Sequence, residues 1–270
     1  MYIPKQFGEP RIEVMQTLMR DYPLATLITS SVDGLHANHI PLHWLEEGDT
    51  PYGCLRGHIA RSNPLWPDFE PQAEVLAVFQ AENAYISPSW YASKPQTGKV
   101  VPTWNYAAVH AYGKLRIIDD PAWIRRQLEQ MTDEFEAGFP EPWSVADAPA
   151  DFTERLLTQI IGIEISVTRL QGKWKVSQNQ PPENRSSVIE ALRASGQPAM
   201  ADLVADATES PRLSRRLQPL REWGNERENH EALFIGSSRA SGSHGAGASR
   251  RIPVRMGRDS IDFGQVWLYG

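Results

Sequence analysis

The chain has 270 residues, of which 41% are hydrophobic, and this is enough apolar material for a packed core and excludes a chain that is disordered throughout. Its single cysteine, Cys54, excludes an internal disulfide framework and any zinc or iron–sulfur site built from several thiolates. The net charge of −6 is uneven, because residues 207–270 carry ten Arg against seven acidic residues and leave residues 1–206 strongly acidic. An acidic body argues against a protein that coats nucleic acid.

The N-terminal residues 1–7 contain no apolar run of signal-peptide length. No stretch of about 18 apolar residues, the length that crosses a membrane as a helix, occurs elsewhere in the chain. We therefore expect a soluble, cytoplasmic protein without a membrane partner.

The first predicted elements are a helix and a hairpin. Residues 10–21 place apolar side chains at helical spacing, and Pro23 then ends the helix. A β-rich run at 24–29 is followed by the turn residues Asp33 and Gly34 and by a second run at 35–44. This pattern is typical of two antiparallel strands.

Most of the remaining pattern predicts strands with few helices between them. The segments are 52–57, 74–80, 85–87, 106–118 and 161–170. The last of these alternates Ile and Val with small or polar residues. So many strands indicate a β-barrel. Helices are predicted at 120–136 and at 151–160, the second with Asp151 as its N-cap.

A later helix is predicted from Val188, with Ser186 or Ser187 as its cap. With the turn at 195–198 and a second helix at 199–204, the outline is that of a helix-turn-helix. The second helix carries no Arg, Lys, Asn or Gln to read a base edge. We therefore expect helices packed on the barrel, and DNA remains a possible partner for which no recognition element is visible.

The composition changes near residue 206. Residues 236–251 consist mostly of Gly, Ser, Ala, His and Arg, which cannot bury enough surface to become ordered. We divide the chain into a folded body, 1–206, and a mostly disordered tail, 207–270.

Four segments of the body mix aromatic residues with His, Asn and Pro where core strands would carry aliphatic residues. They are 37–42, 57–64, 85–91 together with 101–106, and 172–179. In this order they resemble the PaiB family, the FMN-binding negative transcriptional regulators, over roughly residues 1–205. The resemblance implies a split β-barrel of the flavin reductase and pyridoxamine oxidase kind, and a homodimer with FMN at the subunit interface.

Arg61 is the first candidate for contact with FMN. A phosphate requires a cation and further donors, and Arg61 could bind it with His58 and Ser62 nearby. In the wider split-barrel class, a basic residue shortly before an Asn-Pro pair holds the phosphate, so the resemblance assigns that role to Arg61, with Asn63 in the same motif. The alternative is an ion pair between Arg61 and a nearby carboxylate such as Asp68.

His39 lies on a predicted strand and could face the cofactor or serve as a hydrogen-bonded structural residue. His36, His39 and His43 have a spacing that would suggest a metal site on a helix. On a strand, a spacing of three places His36 and His39 on opposite faces, so no metal site is expected.

Aromatic residues and amides surround the Pro-rich connection at 94–102. Trp90 and Trp104 could stack on the flavin ring, while Ser87 and Asn105 could bond its polar edge. The same residues could instead fill the barrel end or the dimer contact.

Lys173, Trp174 and Gln178 are predicted to follow the strand at 161–170. A lysine near the N1–C2 edge of the ring would stabilise negative charge on a reduced flavin. The alternative is a surface turn with solvated lysines.

The resemblance implies a transcriptional regulator in which flavin reports redox state or metabolite level. Two other functions remain open: a flavin-dependent oxidoreductase or haem-handling enzyme with His39 or His58 near the ligand, and a partner-binding barrel that has lost its ligand. The chain has no nucleophile elbow, no Gly-rich phosphate loop and no His-Glu-x-x-His motif, and Cys54 is expected to be buried.

Overall fold

A computed structural model of the chain describes residues 1–65 and 73–207. The predicted disordered tail lies outside the described residues, apart from its first residue, and so does Asp68. Within the described residues, no helix is long and apolar enough to span a bilayer.

Within residues 1–65 and 73–207, eight strands form one antiparallel sheet. They are β1 (Gly8–Glu9), β2 (Leu24–Ser31), β3 (Gly34–Pro41), β4 (His43–Leu45), β5 (Cys54–Ala60), β6 (Glu74–Ile86), β7 (Thr103–Ile118) and β8 (Ile160–Lys175). The order across the sheet is β3-β2-β6-β7-β8-β5-β4, and β1 pairs with β8. The described residues also form six α-helices around it: α1 (Ile12–Asp21), α2 (Lys94–Thr97), α3 (Pro121–Glu136), α4 (Ala150–Leu157), α5 (Pro182–Ala194) and α6 (Pro198–Asp206).

The sheet closes on itself, because its two end strands are consecutive in the chain. β3 and β4 lie at opposite ends of the strand order, yet only Leu42 separates them. Where β3 meets β5, the side-chain amide of Asn63 donates to Asn38 at 2.9 Å, and a Cβ on Gly57 would lie 2.8 Å from the Pro41 carbonyl oxygen. This closure confirms the predicted fold class, a mainly β barrel with peripheral helices.

The prediction of one continuous strand at 35–44 is wrong. The strand ends at Pro41, and the Leu42 amide donates to the carbonyl of Pro23 at 2.9 Å. The break lets the chain leave one edge of the sheet and join the other.

The barrel interior is filled by alternating aliphatic residues. Ile161, Ile163, Ile165 and Val167 of β8 are fully buried in the main core. Cys54 is buried as predicted, and burial raises the pKa of its thiol to about 11.

β8 continues beyond its predicted end, so Lys173 and Trp174 belong to the strand rather than to a following turn. Its pairing with β7 shifts register between Tyr112 and Gly113. Beyond this irregularity Trp174 packs against the core, whereas Lys173 lies on the other face. β6 likewise joins two predicted strands through an irregularity between Gln80 and Asn83.

α3 and α4 form a second layer outside the barrel, with a small core of Ile124, Leu157 and Ile160. Asp120 caps α3 by accepting a hydrogen bond from the Ala122 amide at 2.9 Å. The predicted cap of α4 is wrong, because the helix begins at Ala150 and Asp151 lies in its first turn.

The terminal helices pack on the barrel, as expected. α5 begins at Pro182, whose fixed φ suits a first turn, so Ser186 and Ser187 lie inside the helix and the predicted caps are wrong. Val188 of α5 and Val204 of α6 are fully buried in the main core.

Candidate functional site

The twelve predicted site residues fall into two groups, one at or near the seam, where β3 meets β5, and one near the residues where β8 ends. The seam group comprises His39, His58, Arg61, Ser62 and Asn63, and the strand-end group comprises Ser87, Trp90, Trp104, Asn105, Lys173, Trp174 and Gln178. Ala60, beside the seam group, pairs with the first residue of β8, whereas Tyr106, beside the strand-end group, pairs with Lys175, the last. The strand between them is 16 residues long, a contour length of roughly 50 Å.

Arg61 is held by an ion pair. Its guanidinium donates to both carboxylate oxygens of Asp119, at 3.0 and 2.6 Å, and through Nε to the Thr158 carbonyl at 2.9 Å. The hydrogen bond from Arg61 is the main cause that lowers the pKa of Asp119. A phosphate that binds Arg61 must therefore displace or share this carboxylate.

His58 lies on the outer side of β5, under α3. Its Nδ1 is 3.2 Å from the side-chain oxygen of Gln127, so only Nε2 is left for a ligand. Burial lowers the pKa of the imidazole, and the hydrogen bond to Gln127 opposes this effect only in part.

The other residues of the seam group differ in whether their polar atoms are available to a ligand. Asn63 is engaged with Asn38 and accepts from the Leu65 amide at 2.9 Å, so it holds the seam together. Ser62 and His39 are exposed, and His39 pairs with Thr26 of β2.

Three of the strand-end residues stabilise the chain where β8 ends. The amide of Asn105 donates to the Ser177 hydroxyl at 2.8 Å, and Asn105 is only 1% exposed. Ser177 has a left-handed backbone conformation, with φ of 64°. Gln178 accepts from the Val176 amide at 2.8 Å and donates to the Trp174 carbonyl. Asn105 is thus engaged inside the barrel end, whereas Gln178 binds backbone groups of the segment before it.

Two further residues of this group also have structural contacts. The Ser87 hydroxyl accepts from the Ser89 amide at 3.2 Å and caps a 3-10 turn. Trp90 is half-buried against the main core.

Trp104 and Lys173 lie on the outer face of the sheet, where Lys173 is only 9% exposed, together with three neighbouring residues. We name this set the aromatic–lysine face; it comprises Tyr85, Trp104, Tyr106, Lys173 and Lys175. Trp104 is 55% exposed, and its ring centroid lies 5.9 Å from that of Tyr85 in an edge-on arrangement. Tyr106 and Lys175 are direct cross-strand partners. Alternation along the two strands, 104 with 106 and 173 with 175, could have identified these residues.

The lysines of this face lie among aromatic rings and carbonyl groups. Lys173 Nζ is 5.3 Å from the Tyr106 ring centroid, 5.9 Å from that of Tyr2, and donates to the Tyr2 carbonyl at 3.1 Å. Lys175 donates to the Trp104 carbonyl at 2.6 Å and to the Thr103 hydroxyl. Burial, and next the charge of Lys173, lower the pKa of Lys175.

The same sheet face carries His39. Cross-strand partners lie on one face, and the register connects His39 through Thr26, Val78 and His110 to Gln171, two residues before Lys173. Thr26 and Val78 are half-exposed. The outer face of the sheet is thus partly apolar at its centre, and the aromatic–lysine face lies at one end of it.

Metal-ligating groups do not converge in this way. Over residues 1–65 and 73–207, no three or more His, Cys, Asp or Glu side chains are placed to hold a metal ion.

Comparison with known proteins gives consistent matches. Residues 1–169 match the family described as "Putative FMN-binding domain". The protease synthase and sporulation protein PAI 2 of Bacillus subtilis is 34% identical over 209 residues, 76% of this chain and 97% of that protein. An uncharacterized protein of Emericella nidulans is 36% identical over 230 residues, 73% of this chain and 92% of that protein. Among solved structures, the FAD and heme binding protein of Mycobacterium smegmatis is 16% identical with a TM-score of 0.47, over 62% of this chain and 73% of that one.

Proposed function

This chain belongs to the PaiB family of FMN-binding domains, and from that premise we propose that it binds FMN as a homodimer and acts as a flavin-dependent transcriptional regulator. The aromatic–lysine face is the observation that carries the proposal. An isoalloxazine ring requires flat apolar walls and a few polar contacts. Exposed Trp104 and Tyr85, with Lys173 and Lys175 beside them, meet that requirement.

In this proposal Trp104 and Tyr85 bind the ring, and the two lysines lie at its polar edge. Bound FMN supplies a ring that accepts and returns electrons. The lysine cations would stabilise negative charge on the reduced ring, which ties flavin redox state to the charge balance of this face.

The position of Arg61 supports a two-protomer site. Arg61 and the aromatic–lysine face lie at opposite ends of β8, so a flavin that used both would take Arg61 from one protomer and the ring contacts from its partner. The half-exposed centre of the outer face, with Val78 and Thr26, is the surface that we assign to contact with the second copy.

The regulatory role rests on the family and not on a DNA-reading helix. The Bacillus relative is named a protease synthase and sporulation protein. α6 carries no Arg, Lys, Asn or Gln, and Met200 and Val204 are buried, so we place no DNA contact on this helix. We propose instead that flavin shifts the population of two conformations of the dimer.

The test is the absorbance spectrum of the purified protein, followed by FMN titration of the ligand-free protein. Arg61→Ala should weaken FMN binding by about 1.5–3 kcal/mol, the value of a charge-assisted hydrogen bond. Trp104→Ala should weaken it by about 0.5–1.5 kcal/mol. Arg125→Ala is the matched control, because Arg125 forms a similar exposed ion pair with Glu154, on the helical layer. Colourless protein that fails to bind added FMN would refute the proposal.

A second function is favoured by the same lysines, since cations beside a flavin also assist its reduction. In that case NADPH would bleach the bound flavin and an added acceptor would restore its colour. If the protein is a regulator, we expect no such turnover. We expect instead that it retards a promoter fragment at low salt.

A further inference from the structure

A pocket lies between the helical layer and the barrel, away from the aromatic–lysine face. α3, α4 and the 3-10 turn at Val145–Asp147 enclose about 540 Å³ of space against the outer side of β5, part of it open to solvent. Its lining includes the large apolar residues Leu128, Trp143, Phe152, Leu156 and Leu157. Of the predicted flavin residues, only His58 lines it.

Among the described lining residues, His58 presents a ring nitrogen, Nε2, for which the structure shows no hydrogen bond. Thr153 also lines it, but its hydroxyl donates to the Pro149 carbonyl at 3.3 Å. No charged side chain is among the described lining residues. The pocket therefore favours an uncharged ligand, because an ion would lose its hydration without gaining a partner.

The hydrogen bonds of Gln127 determine which ring nitrogen of His58 carries the proton and which can accept a hydrogen bond from a ligand. The side-chain nitrogen of Gln127 faces the Met131 sulfur at 3.5 Å, which places its oxygen toward His58. Nδ1 must then carry the proton that this oxygen accepts, and Nε2 of the neutral ring presents a lone pair. Nε2 has no hydrogen-bond partner within residues 1–65 and 73–207, and His58 lines the pocket, so this nitrogen is the group of His58 that a ligand there could use.

We propose that this pocket binds a small, uncharged aromatic molecule with a single N–H or O–H donor, of the indole or phenol class. Trp143 and Phe152 supply aromatic walls, the leucines supply apolar contact, and Nε2 of His58 accepts the one hydrogen bond. The inference does not depend on flavin binding, and it assigns His58 to this pocket instead of to a phosphate.

The first experiment measures binding of indole and of N-methylindole to the full chain by calorimetry, with and without saturating FMN. Indole should bind with about three- to tenfold higher affinity than N-methylindole, which lacks the donor. Indole-3-carboxylate should not bind, because no cation lines the pocket. Equal affinities for the two indoles, no binding of indole, or competition between indole and FMN would each overturn the proposal.

Substitutions in the pocket test whether indole binds there. Leu156→Trp fills the pocket and should lower indole affinity at least tenfold. His58→Ala should retain indole but bring the ratio of the two affinities close to one, which a merely structural role of His58 would not do. His36→Ala is the control, since His36 is an exposed histidine on β3. Thermal melting checks that each variant folds. Where a variant does not fold, the comparison of indole with N-methylindole on the unaltered chain still tests the proposal. Retained indole binding in folded Leu156→Trp, or an unchanged ratio in folded His58→Ala, would contradict it.

Discussion

Glu164 links two arginines on the outside of β8. Its carboxylate accepts from Arg56 at 2.8 Å and from Arg116 at 2.7 Å, and Arg56 also pairs with Glu47 at 2.9 Å. Burial would raise the pKa of Glu164, but the hydrogen bonds from the two arginines outweigh it and lower the pKa.

This pKa shift predicts how stability depends on pH. A carboxylate with a lowered pKa stabilises the fold above its unfolded pKa, and the contribution is lost as pH falls through the folded value. Glu164→Gln should reduce the free energy of unfolding at pH 7 by about 1–3 kcal/mol, and it should flatten the loss of stability between about pH 5 and pH 3. Urea unfolding across this range measures both effects. Glu154→Gln, in the exposed pair with Arg125, should cost less than about 1 kcal/mol; equal effects of the two variants would contradict the prediction.

At the scale of single residues, the sequence indicated which side chains could contact a ligand better than it indicated their neighbours in the fold. It identified Trp104 and Lys173, which lie on the outer face of the sheet, because both belong to segments that mix aromatic and polar residues. Alternation along β7 places Asn105 inside with Ala107, but the inward position of Trp174 could not be predicted, since the extra residue Thr168 in β8 changes which side chains face the interior. The ion pair of Arg61 with Asp119 joins residues 58 positions apart, and no local pattern predicts such a pair.

At the scale of elements, alternation and helical spacing located every strand of more than three residues and most helices. The boundaries that failed depend on tertiary contacts. The break at Leu42 exists because the barrel closes there, and β8 extends to Lys175 because both β7 and β1 pair with its end. The early start of α5 has a local cause, because Pro182 suits the first position of a helix.

The closure at the seam predicts a severe effect of a small substitution. A Cβ on Gly57 would lie 2.8 Å from the backbone oxygen of Pro41 and 3.0 Å from Leu42 Cδ2, and a backbone atom cannot move aside without shifting the strand. Gly57→Ala should destabilise the protein by about 1–3 kcal/mol, as measured by urea denaturation.

Gly8→Ala provides the control for this prediction. Its Cβ would lie 3.4 Å from Ile3 Cγ2 and 3.9 Å from the Lys5 carbonyl oxygen, both ordinary contacts, and Gly8 also lies in a strand. If the two variants lose the same stability, the close approach at the seam is not the cause.

At the scale of the whole molecule, mixed dimers can test the proposed two-protomer site. Arg61→Ala and Lys173→Ala protomers should each bind FMN weakly as homodimers. After mixed reassociation, each heterodimer would contain one site with both groups intact, so about a quarter of all sites should recover, given random pairing. FMN titration of the mixture measures the recovered fraction.

The matched control pairs Trp104→Ala with Lys173→Ala protomers. Both substitutions lie on the aromatic–lysine face, so neither site of the heterodimer is complete and no recovery is expected. Recovery in both mixtures, or in neither, would argue against a site shared in this way.

The division of the chain into a body and a tail stays a prediction. Removal of residues 207–270 preserves α6, whose buried residues complete the main core. The shortened protein should therefore retain its melting temperature and its FMN affinity. A large loss of either, measured by calorimetry, would show that the body requires the tail.

The buried state of Cys54 also simplifies spectroscopy of the assembly. Its thiol pKa of about 11 leaves almost no reactive thiolate at neutral pH, and it is the only thiol in the sequence. A cysteine introduced at Val32, which is 99% exposed in the β2–β3 turn, would thus be the sole site for a maleimide dye. Energy transfer between dyes on two copies would then report their separation without any change to the native thiol.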